Sequence, residues 1–151
     1  MEVIISNSPD ETFLLGGRLG RELRGGDFVL LRGGLGAGKT LLAKGIVQAL
    51  GFDVDEVTSP SFALVNLYKT NEHNIYHIDL WRIDEKSDAA FAVGLDEILE
   101  DPRAIVMIEW AERLGDADLP ARVISIDMKG DGAEPREITI DVAEQNVANA
   151  V

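Results

Sequence analysis

The run Gly33-Gly34-Leu35-Gly36-Ala37-Gly38-Lys39-Thr40 has the spacing G-x-x-x-x-G-K-[ST], the pattern of a phosphate-binding loop. A polyphosphate carries several negative charges and must be held without being trapped. Glycines let the backbone approach it and turn amides inward as an anion nest. A helix starting near Lys39 adds its positive dipole end. In that setting Leu35, Gly36, Ala37 and Gly38 form the cradle, Lys39 reaches the β- and γ-phosphates, and the Thr40 hydroxyl ligates Mg²⁺. The motif specifies nucleotide binding and leaves open what the energy is used for.

Such a site also needs a carboxylate at a strand end to hold or orient Mg²⁺ and its water shell. Two acids qualify. Ile105-Val106-Met107-Ile108-Glu109 is an apolar strand that delivers an acid at its carboxyl end, and Tyr76-His77-Ile78-Asp79 does the same less cleanly. In open α/β sheets, ligands sit beyond the carboxyl ends of the strands. Glu109 and Asp79 are therefore both candidate catalytic and metal-holding groups, with the division of roles open. His77, alternating into a strand, reads as packed rather than catalytic. Trp81 and Trp110 flank the two acids; core burial is the favoured reading and a lid or partner contact the alternative. An ion pair with a nearby acid is the preferred reading of Arg82. Thr58-Ser59-Pro60-Ser61-Phe62 reads equally as a γ-phosphate-sensing switch or as a Ser-Pro turn.

These residues need a frame. Phe28-Val29-Leu30-Leu31 reads as a buried strand feeding the glycine loop, and Leu42, Ile46, Ala49 and Leu50 mark the helix after it, with Gly51 as its stop. Upstream, Glu2 to Ser6 reads as a strand. Ser8-Pro9-Asp10-Glu11 looks like a capping box opening a helix that aligns Thr12, Leu15, Leu19 and Leu23 and ends at Gly25-Gly26. Downstream, Phe62 to Tyr68, Ile75 to Leu80 and Ala104 to Ile108 read as strands, and Leu95, Ile98 and Leu99 as a short helix. Val123 to Met128 and Glu137 to Asp141 close the chain as a hairpin around Gly130-Asp131-Gly132. The expected fold is an α/β, P-loop NTPase-like open sheet, mostly parallel, with helices on both faces and antiparallel C-terminal strands. One domain over residues 1–141 is expected, with a fraying tail at 142–151.

The chain has 151 residues, with 14 basic and 27 acidic side chains, a formal charge of −13. That balance argues against gripping a nucleic-acid backbone unaided. The absence of cysteine excludes disulfides and all-cysteine zinc sites. No secretory signal or membrane-spanning run is visible, so a cytoplasmic protein is the expectation.

Four segments taken together, Gly33 to Thr40, Thr58-Ser59-Pro60-Ser61-Phe62, His77-Ile78-Asp79-Leu80-Trp81-Arg82 and Ile108-Glu109-Trp110, resemble in order and spacing the bacterial TsaE (YjeE) ATPase family. The resemblance runs from about Pro9 to about Arg136. It implies a small, weakly active ATPase using ATP and Mg²⁺ in the threonylcarbamoyladenosine modification of tRNA. It further implies two partners, TsaB and the transferase TsaD, which ATP hydrolysis resets between turnovers, with tRNA met only through that complex. By the same resemblance Thr40 and Glu109 hold the metal with Asp79 close by, Ser59-Pro60 is a switch, and Thr12 and Arg136 lie near the base end of the nucleotide. Gly34 replaces the family's usual Asp, Leu41 a common Thr, and Trp81 a usual Tyr; none of these removes a phosphate or metal ligand.

Three other readings compete. A small-molecule kinase normally carries an arginine-rich lid, which the sequence lacks. A GTPase would read guanine with an Asn/Thr-Lys-x-Asp motif, and Met128-Lys129-Gly130-Asp131 lacks its polar first residue. A non-enzymatic nucleotide-dependent interaction module would show slow turnover that partners do not raise.

Overall fold

The computed structural model describes residues 1–34, 36–57, 64–83, 93–114 and 119–144. In chain order the elements are β1 (Glu2–Ser6), α1 (Pro9–Glu22), β2 (Phe28–Gly33), α2 (Lys39–Ala49), β3 (Val65–Lys69), β4 (Asn74–Asp79), α3 (Leu95–Leu99), β5 (Ala104–Glu109), β6 (Val123–Lys129) and β7 (Arg136–Ala143). Single 3₁₀ turns occupy Val54–Glu56 and Ala111–Leu114. The strands form one seven-stranded sheet in the order β1-β7-β6-β2-β5-β4-β3.

The central strands are apolar on both faces because both faces are covered. Phe28 to Leu31 and all of β5 are buried. Alternate residues divide between two cores. Val29, Leu31, Ile75, Ile105 and Met107 pack with α1 and α2, while Phe28, Leu30, Ile78, Val106 and Ile108 pack with α3. Helices on both faces of a mostly parallel centre match the expected fold class.

β2 pairs in parallel with β5 and with β6, and β5 pairs in parallel with β4. The expectation of antiparallel C-terminal strands holds for β6 against β7 and β7 against β1. On its other side β6 runs parallel to β2, because the chain returns across the sheet before β6 begins. A second antiparallel pair, β3 with β4, closes the opposite edge.

Helix α1 begins as its sequence dictates. Ser8 Oγ accepts from the Glu11 amide at 3.1 Å, and Pro9 occupies the first turn. The return bond differs from the usual capping box. Glu11 Oε2 accepts from the Asn7 amide at 2.6 Å, one residue before the cap. Helices α1 and α2 meet through glycines: a Cβ on Gly16 would stand 2.3 Å from Leu42 O, and one on Gly45 would stand 2.2 Å from Phe13 O. That backbone-to-backbone approach brings Thr12 against the glycine loop.

Strand β3 starts at Val65; Phe62 and Ala63 lie outside the described residues. Strand β7 reaches Ala143, so Val142 belongs to the sheet rather than to a tail, and residues 145–151 lie outside the described ones. Among the described residues, no helix is long and apolar enough to cross a membrane.

Candidate phosphate-binding site

The glycine loop links the end of β2 to the start of α2, with Gly38 as the helix N-cap at φ 99°. That left-handed conformation is open to glycine at little cost and disfavours other residues. Lys39, the first residue of α2, folds back over the loop. Its Nζ donates to Gly33 O at 2.8 Å and to Gly34 O at 2.9 Å. The Trp110 ring covers the same ammonium, 4.2 Å from Nζ to the ring centroid, a cation–π distance. Burial holds the Lys39 ammonium below the ordinary lysine range, and the carboxylates of Glu109, Glu112 and Asp79 oppose that shift.

The sheet register delivers the acids. In the parallel β4–β5 pair, Asp79 lies directly opposite Glu109, and Glu109 lies opposite Leu31 on β2, two residues before Gly33. Glu109 thus ends the strand beside the one that carries the loop, and Asp79 ends the next strand out. Thr40 Oγ1 donates to Glu109 Oε1 at 2.9 Å. Asp79 Oδ1 accepts from the Trp81 amide at 2.8 Å, which turns the chain at the strand end. Lys39, Thr40, Asp79, Glu109, Trp81 and Trp110 line one open cavity of about 380 Å³.

Trp110 sits at φ 58°, an uncommon conformation for a bulky residue and one that gathers at functional sites. It turns the chain sharply after Glu109 and lays the indole against Lys39. Trp81 packs against it in a tilted arrangement, with centroids 4.5 Å apart and an interplanar angle of 46°. The core reading is corrected for Trp81, which is 41 % exposed, whereas Trp110 does pack against the core; both rings also wall the cavity. The strand ends where they stand open onto the cavity rather than under a helix.

The remaining candidates fall around the loop. Gly36 and Gly38 line the main cavity. Ala37, Thr12 and Arg136 line an adjoining hollow of about 120 Å³. Thr12 is buried with its hydroxyl 2.7 Å from Ser6 Oγ. The Arg136 guanidinium donates to the carbonyls of Ala37 at 3.2 Å, Gly36 at 3.1 Å and Gly132 at 3.1 Å, and also to that of Glu134. It therefore fastens the β6–β7 turn to the glycine loop. Leu35 and the Thr58 to Phe62 segment lie outside the described residues.

Sequence reasoning underrated His77. The ring is fully buried, as a packed residue should be, yet Nε2 stands 2.5 Å from Glu109 Oε2 and Nδ1 stands 3.2 Å from the Tyr68 hydroxyl. The signal was present in the alternation. His77 precedes Asp79 by two positions on one strand, so the two share a face.

The donors fit a hard divalent cation: one hydroxyl and two carboxylates, with no group of three or more His, Cys, Asp or Glu suited to holding a metal among the described residues. Mg²⁺ is commonly bound this way, through one or two carboxylates with the remaining positions left to water and phosphate.

A glycine loop between a central parallel strand and a helix, with acids ending the two successive parallel strands on one side of it, defines an α/β fold of the P-loop NTPase type. Within that class the chain belongs to the TsaE family. The family model described as "Threonylcarbamoyl adenosine biosynthesis protein TsaE" matches residues 6–138. Proteins named tRNA threonylcarbamoyladenosine biosynthesis protein TsaE are similar to it across most of their length. The one from Mycobacterium tuberculosis is 39% identical over 127 residues, covering 76% of this chain and 73% of its own. The one from Treponema pallidum is 35% identical over 136 residues, covering 90% and 97%. The one from Bacillus subtilis is 33% identical over 132 residues, covering 87% and 80%. The crystal structure of YdiB from Bacillus subtilis superposes with a TM-score of 0.73 at 29% identity, covering 99% of this chain and 89% of that one.

Proposed function

We propose that this protein is a Mg²⁺-dependent ATPase of the tRNA threonylcarbamoyladenosine pathway, weakly active alone, whose hydrolysis of ATP resets a TsaB–TsaD transferase complex between turnovers. Family membership supports the pathway. The observation that carries the ATPase reading is the Thr40–Glu109 hydrogen bond beside Lys39, which gathers an ammonium, a hydroxyl and a carboxylate in one cavity.

In this reading the loop amides and the α2 N-terminus hold the phosphates, and Lys39 exchanges its two carbonyl partners for phosphate oxygens. Bound Mg²⁺ would supply charge neutralisation on the phosphates, held by Thr40 and Glu109 with Asp79 adjacent. Asp79 and Glu109 share the tasks of steadying the cation's water shell and orienting the attacking water. Trp81 and Trp110 exclude bulk water from one wall of the cavity, which strengthens every charge interaction inside. Thr12 and Arg136 face the base end of the nucleotide. Adenine is favoured over guanine because Met128, where a guanine reader would carry Asn or Thr, is buried against the loop near Gly38. The net charge of −13 fits a protein that meets tRNA only through its partners, in the cytoplasm.

The test is ATP hydrolysis by the full chain with and without TsaB and TsaD, with GTP and candidate phosphoryl acceptors as controls. Stimulation by the two partners together is expected. Phosphoryl transfer to an acceptor would instead make the protein a kinase, and neither stimulation nor complex formation would leave a nucleotide-dependent interaction module.

A further inference from the structure

We propose that His77 is a positioning residue for Glu109, fixing which carboxylate oxygen meets Thr40 and which is withheld from it; this rests on the ATPase reading above. Three strands build the arrangement. Tyr68 on β3, His77 on β4 and Glu109 on β5 stand in succession across the sheet edge, and His77 pairs with Met107, two residues short of Glu109. The Tyr68 ring is itself held by Phe52, with ring centroids 4.8 Å apart.

The hydrogen-bond directions follow from the groups. An ionised Glu109 offers only acceptors, so His77 Nε2 carries the hydrogen and donates to Oε2. In the neutral ring Nδ1 is then the acceptor for the Tyr68 hydroxyl. Thr40 donates to the other oxygen, Oε1. Each Glu109 oxygen is thereby assigned to a different element, one to the sheet and one to α2. Without His77 the carboxylate could rotate about its last torsion, and Oε2 would be a buried acceptor with no donor from the sheet. His77 is fully buried behind Glu109 and does not line the cavity, so it acts on the reaction only through the carboxylate it holds. Such supporting contacts hold reactive groups in productive geometry.

Two measurements test this, one of them without nucleotide. The chain has two histidines, His73 and His77, so imidazole nitrogen NMR of the full protein shows two rings, and His73→Gln assigns them. The expected signature is a protonated Nε2 on His77 with a slowly exchanging, downfield ring proton that is lost in Glu109→Ala. An unprotonated Nε2, or a ring signal indifferent to Glu109→Ala, overturns the proposal. The second measurement is kinetic. Loss of a supporting contact of this kind typically costs roughly 10–100-fold in activity, so His77→Leu is expected to lower kcat by that factor while ATP affinity stays within about threefold. His77→Gln, which keeps a donor at the position of Nε2, should recover part of the loss even if the leucine variant folds poorly. Full kcat in His77→Leu, or a glutamine variant no better than a folded leucine variant, also overturns it. If the unmodified protein neither binds nor hydrolyses ATP with its partners present, the ATPase reading fails, and the NMR result still decides whether His77 holds Glu109.

Discussion

The Thr40 hydroxyl and Glu109 Oε1 stand 2.9 Å apart although 69 positions separate the residues in the chain. One belongs to the first turn of α2 and the other ends β5. Their meeting requires that β2 and β5 be neighbours, which the parallel register of Leu31 with Glu109 secures. The contact joins the start of α2 to a strand-end carboxylate, and the proposed ATPase reading rests on it.

Replacing Lys39 removes the buried ammonium that bridges the loop carbonyls. Hydrogen bonds to charged groups contribute about 1.5–3 kcal/mol. Lys39→Ala is therefore expected to weaken ATP binding by at least roughly tenfold, at about 1.4 kcal/mol per decade. Isothermal titration with Mg-ATP checks this, and unchanged affinity would move the phosphate site elsewhere.

Glu109→Ala is expected to keep part of the ATP affinity and to lose hydrolysis. It also strips the acceptor from Thr40 and from the buried His77 ring. A buried donor left unsatisfied costs about 1–3 kcal/mol, so urea denaturation should show a loss of stability of that size. Normal turnover in this variant would move the catalytic carboxylate to Asp79 or elsewhere.

The α1–α2 crossing predicts opposite outcomes at two nearby glycines. A Cβ at Gly45 would meet Phe13 O at 2.2 Å, whereas at Gly17 its nearest neighbour is Arg21 Nη1 at 3.5 Å. Overpacking typically costs about 1–3 kcal/mol, so Gly45→Ala should destabilise by at least that much. Gly17→Ala should stabilise, since alanine is preferred over glycine within a helix by about 1 kcal/mol. Chemical denaturation of both variants checks the contrast.

Asp101 supplies a pH-dependent contribution at the end of the sheet away from the site. Asn74 Nδ2 donates to its Oδ2 at 2.8 Å and the Arg103 amide to its Oδ1 at 2.9 Å. These bonds, the side-chain one first, hold its carboxyl below the ordinary aspartate value of 3.8. A depressed folded-state value means stability that is fully present above the unfolded value and is lost as pH falls through the folded one. Asn74→Ala should thus lower stability at neutral pH, with the difference shrinking below the ordinary aspartate range. Denaturation midpoints measured from neutral to acid pH check the sign, and a difference that grows in acid would contradict it.

Local chemistry in the chain was enough to identify the glycine loop, its strand and helix, the Ser8 cap and the two strand-end acids. Each is written within a few consecutive residues: apolar runs, alternation, a proline at the helix start, glycines where the backbone must turn. Tertiary structure decided what those patterns met. Strand pairing, which no local run encodes, set Glu109 rather than Asp79 on Thr40 and turned β6 parallel to β2. It also set the packed His77 ring against Glu109. Likewise Arg136 became a clasp on the loop because a hairpin folded back over it, and the two tryptophans came to wall a cavity because the strands before them end at an open edge. Side-chain type and spacing fix which chemistry is available. Which groups share a proton, a charge or a wall depends on contacts between residues far apart in the chain, and these exist only once the sheet has assembled.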